Sequence, residues 1–266
     1  MNYQKTVSRV VQFSGVGLHT GKPVKLAIKP AKSDAGILIN SIPANWKNVS
    51  STSLATTVAG VSTVEHLLAA LYAYGIDNAD IEVEGPEFPI MDGSASAFTI
   101  LQGLTRRLTG IRKYLKIKET VLVSESNKYI KIVPCDTFAI TATVYWSPIG
   151  NQTHSIRVNE LSFDKDIARA RTFGFLRDIK KMQKAKMIKG ASTDNALLLD
   201  AFGQPSSPFR MENELVKHKI LDIIGDVSLV GYPILGHIQS YSPGHSLNYE
   251  LIKRIFDKPN NYEIGV

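Results

Sequence analysis

Alternation dominates the start of the chain. TVSRVVQFSG (6–15) and VKLAIKPA (24–31) place apolar side chains at nearly every second position, the period of a half-buried strand, and the Gly-rich GVGLHTGKP between them reads as a turn. The period then lengthens. STVEHLLAALYAYG (62–75) sets Val64, Leu67, Leu68, Leu71 and Tyr72 on one helical face, with Gly75 as its C-terminal stop. ADIEVEG (79–85) returns to alternation, GPEFPIMDGS (85–94) is too rich in Pro and Gly for a regular element, and SASAFTILQGLTRRL (94–108) predicts a second helix.

The second half repeats the order of strands first and helices later. KIKETVLV, KYIKIVP and FAITATVYW predict three successive antiparallel strands, with turns at SESN and CD. IARARTFGFLRDIKKMQ contains helical segments, and ALLLDAF is a short buried strand. MENELVKHKILDIIGDVSLVG (211–231) is a long helix, and IQSY and LNYELIKRIFD close the chain as a strand and a helix. Sheets plus helices in both halves, without a regular βαβ rhythm, predict an α+β protein rather than a doubly wound one. With 266 residues, 44% of them hydrophobic, two domains of ordinary size are expected.

Charge and cysteine content narrow the classes. A single cysteine, Cys135, rules out an internal disulfide and a Cys-rich zinc knuckle, so any metal must be held by His and carboxylates. No apolar run approaches the ~18 residues of a membrane span, and the N-terminus lacks the apolar core of a signal peptide; a soluble, cytoplasmic protein is expected. The net charge of +7, from 31 basic and 24 acidic residues, suits an anionic partner. It is concentrated in TRRLTGIRKYLKIK (105–118), read as a connector and a strand, and in RDIKKMQKAKMIKG (177–190), a helix with a Lys-rich face. A basic nucleic-acid-binding module is the alternative, but no recognition motif for nucleic acid accompanies the charge, so none is expected as a partner.

Within the long helix, HKILDIIGD (218–226) carries His218, Asp222 and Asp226 at four-residue spacing, about 40° apart around the axis and so along one side. His218 and Asp222 are either an ordinary helical ion pair or two ligands of one small cation. A hydrolytic zinc site needs three protein ligands and an open position, so a third must come from elsewhere. His66 is the best supplier. Its neighbour Glu65 stands three residues after Ser62, which fits a helix capping box, yet it is also where a metal-dependent hydrolase needs a base for water. His245 follows a strand and a tight turn; reached by Asp226, it would stay protonated near neutrality and act as a general acid. His237 and His154 have no such partner in sequence.

TVEHLLAAL, GIDNADIEVEGPEFPIMDGSA, ARTFGF, HKILDIIGD and GHSLN, in that order after GVGLHTG, resemble the UDP-3-O-acyl-N-acetylglucosamine deacetylase family over essentially the whole chain. The resemblance implies a zinc amidase, Fe²⁺ being the other candidate ion, that removes acetate from UDP-3-O-(3-hydroxyacyl)-N-acetylglucosamine, the committed step of lipid A biosynthesis. It implies His66, His218 and Asp222 as metal ligands, Glu65 as general base, and His245 as general acid tuned by Asp226. Thr172 would hydrogen-bond the tetrahedral oxyanion, and Lys219, Phe173 and Tyr145 would contact substrate, Tyr145 near the uracil. The implied fold is two α+β domains of similar topology, each a sheet packed on helices in a two-layer sandwich. They span 1–108 and 113–266, with the site in the cleft between them and a βαβ insert at about 173–200 enclosing an acyl passage. Phe175, Ile179, Met182 and Met187 would line or support that passage. A monomer is expected, with no fused dehydratase. Two departures from the family pattern stand out: LATTVAGVSTVEH (54–66) has a trimmed connection, and Ser242 replaces a Lys that often helps to hold the diphosphate. A non-catalytic zinc-binding relative remains the closest competing reading; it would not need Glu65 or His245.

Overall fold

The computed structural model describes residues 2–184 and 187–266, apart from the side chains at 180, 181 and 183. Part of the Lys-rich face expected over 177–190 therefore lies outside the described residues.

In the first hundred residues the strands are β1 (Tyr3–Val7), β2 (Val11–Val16), β3 (Pro23–Pro30), β4 (Ile37–Ile39), β5 (Ile42–Pro43), β6 (Val49–Ser51), β7 (Thr57–Val58) and β8 (Ala79–Glu84), with helix α1 (Glu65–Ala73) before β8. Five of them form one sheet in the order β2-β3-β8-β4-β5. The alternation of VKLAIKP puts Val24, Leu26 and Ile28 into the core from β3, and Ile81 and Val83 join them from β8. The first alternating segment is two strands, not one. It breaks at Ser8, and β1 leaves to pair with β9 (Thr105–Ile111) while β2 pairs with β3. The helix expected over 94–108 is also cut short: Ser96–Leu104 forms a 3-10 helix, and Thr105 onward is drawn into β9 by that pairing.

From residue 114 the strands are β10 (Tyr114–Ile117), β11 (Val121–Glu125), β12 (Lys128–Val133), β13 (Phe138–Trp146), β14 (Gly150–Arg157), β15 (Phe173–Phe175), β16 (Leu197–Leu199), β17 (Ile234–Tyr241) and β18 (Tyr262–Gly265). The helices are the single turn α2 (Glu160–Ser162), α3 (Leu176–Lys184), α4 (Glu214–Val227) and α5 (His245–Phe256). A seven-stranded sheet is centred on β17, which lies parallel to β10 and β13 and antiparallel to β12. The expected run of three neighbouring antiparallel strands is thus corrected. β11 and β12 do form a hairpin, but β17 separates β12 from β13, whose antiparallel partner is β14. Strands β15 and β16 pair in parallel around α3. Sheets packed on helices, with no closed barrel, make this an α+β fold, as the element order predicts.

Helices α1 and α4 are interior. Every residue of α1 from Glu65 to Leu71 is buried, and so is every residue of α4 except Lys219. Their apolar side chains, among them Leu68, Leu71, Ile220 and Ile224, join a single core with Leu26, Ile81, Ile130, Ile238 and Leu251. A buried charged group on either helix must find a partner inside the protein, because water does not reach it.

Glu214, wholly buried at the start of α4, shows what that demands. Arg171 Nε and Nη2 lie 2.7 and 3.0 Å from its two oxygens, the Arg171 and Arg210 backbone N–H groups add bonds of 3.1 and 2.7 Å, and Arg171 Nη1 continues to Ser207 Oγ. Burial alone would raise the Glu214 pKa; the Arg171 guanidinium and the two backbone donors outweigh it and hold the carboxyl below its ordinary range. The stabilisation from this pair is present above the carboxyl's unfolded pKa and is lost as pH falls through the depressed folded one. Arg171→Met leaves a buried carboxylate without its cation and is expected to cost about 3–5 kcal/mol. Denaturant unfolding at neutral pH checks this; a loss under about 1 kcal/mol, as for an exposed pair, would contradict it.

Candidate active site

Three elements from distant parts of the chain supply the chemistry: the first turn of α1, one side of α4, and the first residue of α5. The capping box expected at Ser62 does not form. Val64 is the N-cap residue and no side chain caps the helix. The Glu65 carboxylate turns inward, is 2% exposed, and accepts a short hydrogen bond from the Thr56 backbone N–H.

His66, His218 and Asp222 come together, each buried, with one potential ligand atom apiece within 4.8 Å of the others. His218 Nδ1 lies 3.0 Å from the Ala170 carbonyl oxygen, which can only accept, so Nδ1 carries the proton and Nε2 presents its lone pair. That lone pair faces Asp222 Oδ1 at 3.5 Å. Burial, with His218 next to it, pushes the His66 pKa down to about 3, and burial lowers that of His218 too, so both imidazoles are neutral. Burial opposes ionisation of Asp222, but Lys219 and, further off, the charged imidazole of His245 hold its carboxyl below the ordinary range. Two neutral imidazoles, each with a ring nitrogen within 4.8 Å of a buried carboxylate oxygen, make a donor set for a divalent cation, and the N,N,O composition suits zinc.

A second trio adjoins the first: Glu65, Asp226 and His245. Asp226 Oδ2 accepts from His245 Nδ1 at 2.8 Å and from Asn248 Nδ2 at 2.7 Å, while Oδ1 accepts from Thr56 Oγ1 at 2.6 Å. Glu65 Oε1 is 3.7 Å from the same His245 nitrogen. Burial works against a charged imidazole, but Asp226 and, more weakly, Glu65 and Asp222 overcome it and push the His245 pKa up to about 10. Glu65 is pushed up to about 7 by burial and by the carboxylates of Asp226 and Asp222, against the pull of His245. Asp226 therefore belongs with His245, and the column on α4 divides after Asp222.

Of the other candidates, Lys219 and Phe173 touch this centre. Lys219, the one α4 residue not buried, lies 2.7 Å from Asp222 Oδ2 and 5.5 Å above the Phe173 ring, so it is bound to the donor set itself. Phe173 stands edge-on to His218 at 6.1 Å and to Trp146 at 5.0 Å, which links the end of β13 to the site. Tyr145, next to Trp146, is exposed. The Thr172 backbone N–H is held 2.6 Å from the Gly93 carbonyl. Gly93 has φ +82°, and a Cβ there would lie 2.2 Å from Asn195 O, so the MDGS loop needs glycine where it meets the 190s segment.

Thr172 and Phe173 also line a cavity of about 220 Å³ with Leu18, Leu54, Ile179 and Met182. Phe175 is not part of it; it packs on Leu197, Leu199 and Leu215. Met187 is not in the lining either, although its N–H bonds the Met182 carbonyl. His237 bonds Thr141 Oγ1 at 2.9 Å on the far sheet face, and His154 stands apart from both trios. The sequence reading missed Thr56, Asn248 and the Ala170 carbonyl. Asn248 sits in GHSLN (244–248), one helical turn after His245, and that spacing was the available signal; the other two had none.

A buried His, His, Asp donor set with a high-pKa carboxyl on one side and a charged imidazole beside it defines a metal-dependent hydrolase. A family model for UDP-3-O-acyl N-acetylglycosamine deacetylase matches residues 4–257. UDP-3-O-acyl-N-acetylglucosamine deacetylase from Syntrophotalea carbinolica is 39% identical, covering 99% of this chain and 91% of its own; that from Anaeromyxobacter sp. (strain Fw109-5) is 40% identical, with 98% and 91% covered. The protein of the same name from Campylobacter fetus is 38% identical over 98% of this chain and 94% of its own. This chain belongs to the UDP-3-O-acyl-N-acetylglucosamine deacetylase family.

Proposed function

We propose that this chain removes the N-acetyl group of UDP-3-O-(3-hydroxyacyl)-N-acetylglucosamine, the committed step of lipid A biosynthesis, by zinc-dependent hydrolysis in the cytoplasm. The observation that carries this reading is the unprotonated His218 Nε2 facing Asp222 at 3.5 Å, with Glu65 and His245 immediately alongside. His66, His218 and Asp222 would hold the ion, which supplies Lewis acidity to the acetamide carbonyl and to the attacking water.

Glu65 takes the proton from that water as its oxygen bonds to the carbonyl carbon. Thr172, fixed by its backbone bond to Gly93, donates to the oxyanion that develops. The C–N bond then breaks with its electron pair on nitrogen, and His245, charged because Asp226 holds Nδ1–H, donates its other proton from Nε2. The products are acetate and the free amine. The cavity beside Phe173 takes the acyl chain, its apolar wall including Leu18, Ile179 and Met182. Lys219 and Tyr145 meet the nucleotide end, Lys219 at the open side of the donor set and Tyr145 from the exposed end of β13. Among the described residues no helix is long and apolar enough to cross a membrane.

Acetate release from the acylated UDP-sugar tests the reading. Chelation is expected to abolish release and Zn²⁺ to restore it, and His245→Gln is expected to lower kcat by about 10²-fold or more with the metal retained. The rate of the native enzyme is expected to rise with pH as Glu65 loses its proton, with a midpoint no higher than about 7, because a cation at the neighbouring His66 favours the carboxylate. It is expected to fall again as His245 deprotonates, with a midpoint no higher than about 10, because the same cation disfavours the charged imidazole. Release indifferent to chelation, or a His245→Gln variant as fast as the native enzyme, would defeat the proposal.

A further inference from the structure

Thr56 lies in the trimmed segment before β7, is 2% exposed, and bonds two acidic groups at once. Its backbone N–H donates to Glu65 Oε1, and its hydroxyl donates to Asp226 Oδ1 at 2.6 Å, because a carboxylate oxygen can only accept. Between those carboxylates sits His245, whose Nδ1 is 2.8 Å from Asp226 Oδ2 and 3.7 Å from Glu65 Oε1. Both carboxylates are therefore candidates for the same N–H, and an imidazole bonded to Glu65 would occupy the group needed as base. Asn248 adds a donor at 2.7 Å to Asp226 Oδ2. The Asp226 plane is thus fixed at both oxygens, from the residue before β7 and from α5.

We propose that Thr56 is a positioning residue for deacetylation, holding Asp226 so that it takes the His245 Nδ1 proton and leaves Glu65 free for water. The inference rests on the roles given to Glu65 and His245 above. The groups that face His245 are Glu65 and His66 from α1, His218, Asp222 and Asp226 from α4, and His19 from the loop between β2 and β3. Thr56 touches two of them, and neither is a metal ligand in that reading.

The test compares Thr56→Val, which keeps the shape and the N–H but loses the hydroxyl, with Thr56→Ser, which keeps both donors. Thr56→Ala serves in place of the valine variant if circular dichroism shows the latter misfolded. Loss of the hydroxyl is expected to lower kcat by about 10–100-fold, the usual cost of losing a group that orients a catalytic one. KM is expected to stay within about twofold, since no ground-state contact to substrate is removed. The His245 imidazole, followed by ¹⁵N NMR in metal-free and Zn²⁺-loaded protein and assigned by its loss in His245→Gln, is expected to titrate at lower pH. An Asp226 carboxylate free to turn holds the Nδ1 proton less well. Thr56→Ser restores both kcat and titration. A fall in kcat with the His245 titration unmoved would mean a merely structural role and overturn the inference, as would a valine variant equal to the native enzyme. If Glu65→Gln and His245→Gln collapse while Thr56→Val does not, this inference alone fails; if those two retain full activity, the reading of the site fails first.

Discussion

Glu65→Gln is expected to lower kcat for acetate release by about 10²–10⁴-fold, the span of a lost general base, with bound metal unchanged. The substitution is nearly isosteric, and its amide oxygen still accepts the Thr56 N–H. His66, His218 and Asp222 keep their positions, since none of the three is hydrogen-bonded to Glu65. Stability separates this from damage to the fold. Burial and two neighbouring carboxylates raise the Glu65 pKa to about 7, so the native protein bears the cost of ionising it at any pH above the ordinary carboxylate range. A neutral amide escapes that cost, and the variant's Tm at pH 8 is expected to be no lower than the native one. Metal analysis, steady-state kinetics and thermal melts check the three parts together. Native-like kcat would remove Glu65 from the chemistry, and loss of metal would mean that it supports the donor set instead.

How much of this was legible in the sequence depended on whether the information was local. Strands β3 and β8 and helix α5 follow from periodicity, because each buries the face that its own pattern marks, and α1 and α4 follow from apolar residues at helical spacing, although both are buried nearly all round. β14 was missed because GNQTHSIR alternates half-buried polar residues with exposed ones, and only its pairing with β13 makes it a strand. The order of strands in the second sheet was misread for a similar reason: β17 arrives from nearly a hundred residues downstream, and no pattern in β12 or β13 announces it. Helical periodicity over 94–108 lost to the β1–β9 pairing, a tertiary contact overriding local preference.

The site divides along the same line. His218 and Asp222 are four residues apart on one helix, so their proximity was computable. Asp226 is also in register, yet its partner could be assigned only once α5 was seen to bring His245 against it. The S-x-x-E pattern at Ser62 was ambiguous in principle, since a capping glutamate and a buried one look the same in one dimension. Thr56 and the Ala170 carbonyl act through a backbone group or across more than forty residues, and composition carries no trace of either.

Gly225→Ala gives the sharpest test of how the two halves of the site are held in register. Gly225 lies on α4 between Asp222 and Asp226, where α4 meets the first turn of α1. A Cβ added there would stand 2.4 Å from the Glu65 carbonyl oxygen, 2.9 Å from its Cα and 3.0 Å from its carbonyl carbon. These are backbone atoms, so no rotamer change relieves the clash and α1 itself must retreat. Helix propensity argues the opposite sign: Gly→Ala inside a helix ordinarily stabilises by about 1 kcal/mol. The steric term should prevail, because overpacking a close-packed interior costs about 1–3 kcal/mol and here offers no flexible neighbour to absorb it. The displacement has a direction that matters. α1 carries Glu65 and His66 while α4 carries His218, Asp222 and Asp226, so separating them draws one ligand away from the other two. Metal sites tolerate only a few tenths of an ångström in ligand distance. The alanine variant is therefore expected to melt several degrees lower and to bind Zn²⁺ at least about 10-fold more weakly. Acetate release at saturating metal should fall as well, since Glu65 and His245 no longer meet the donor set at the same spacing. Melting curves and a competitive chelator titration decide it: an alanine variant more stable than the native protein, with native metal affinity, would show that the helices can close over a methyl group and that their separation does not govern the site.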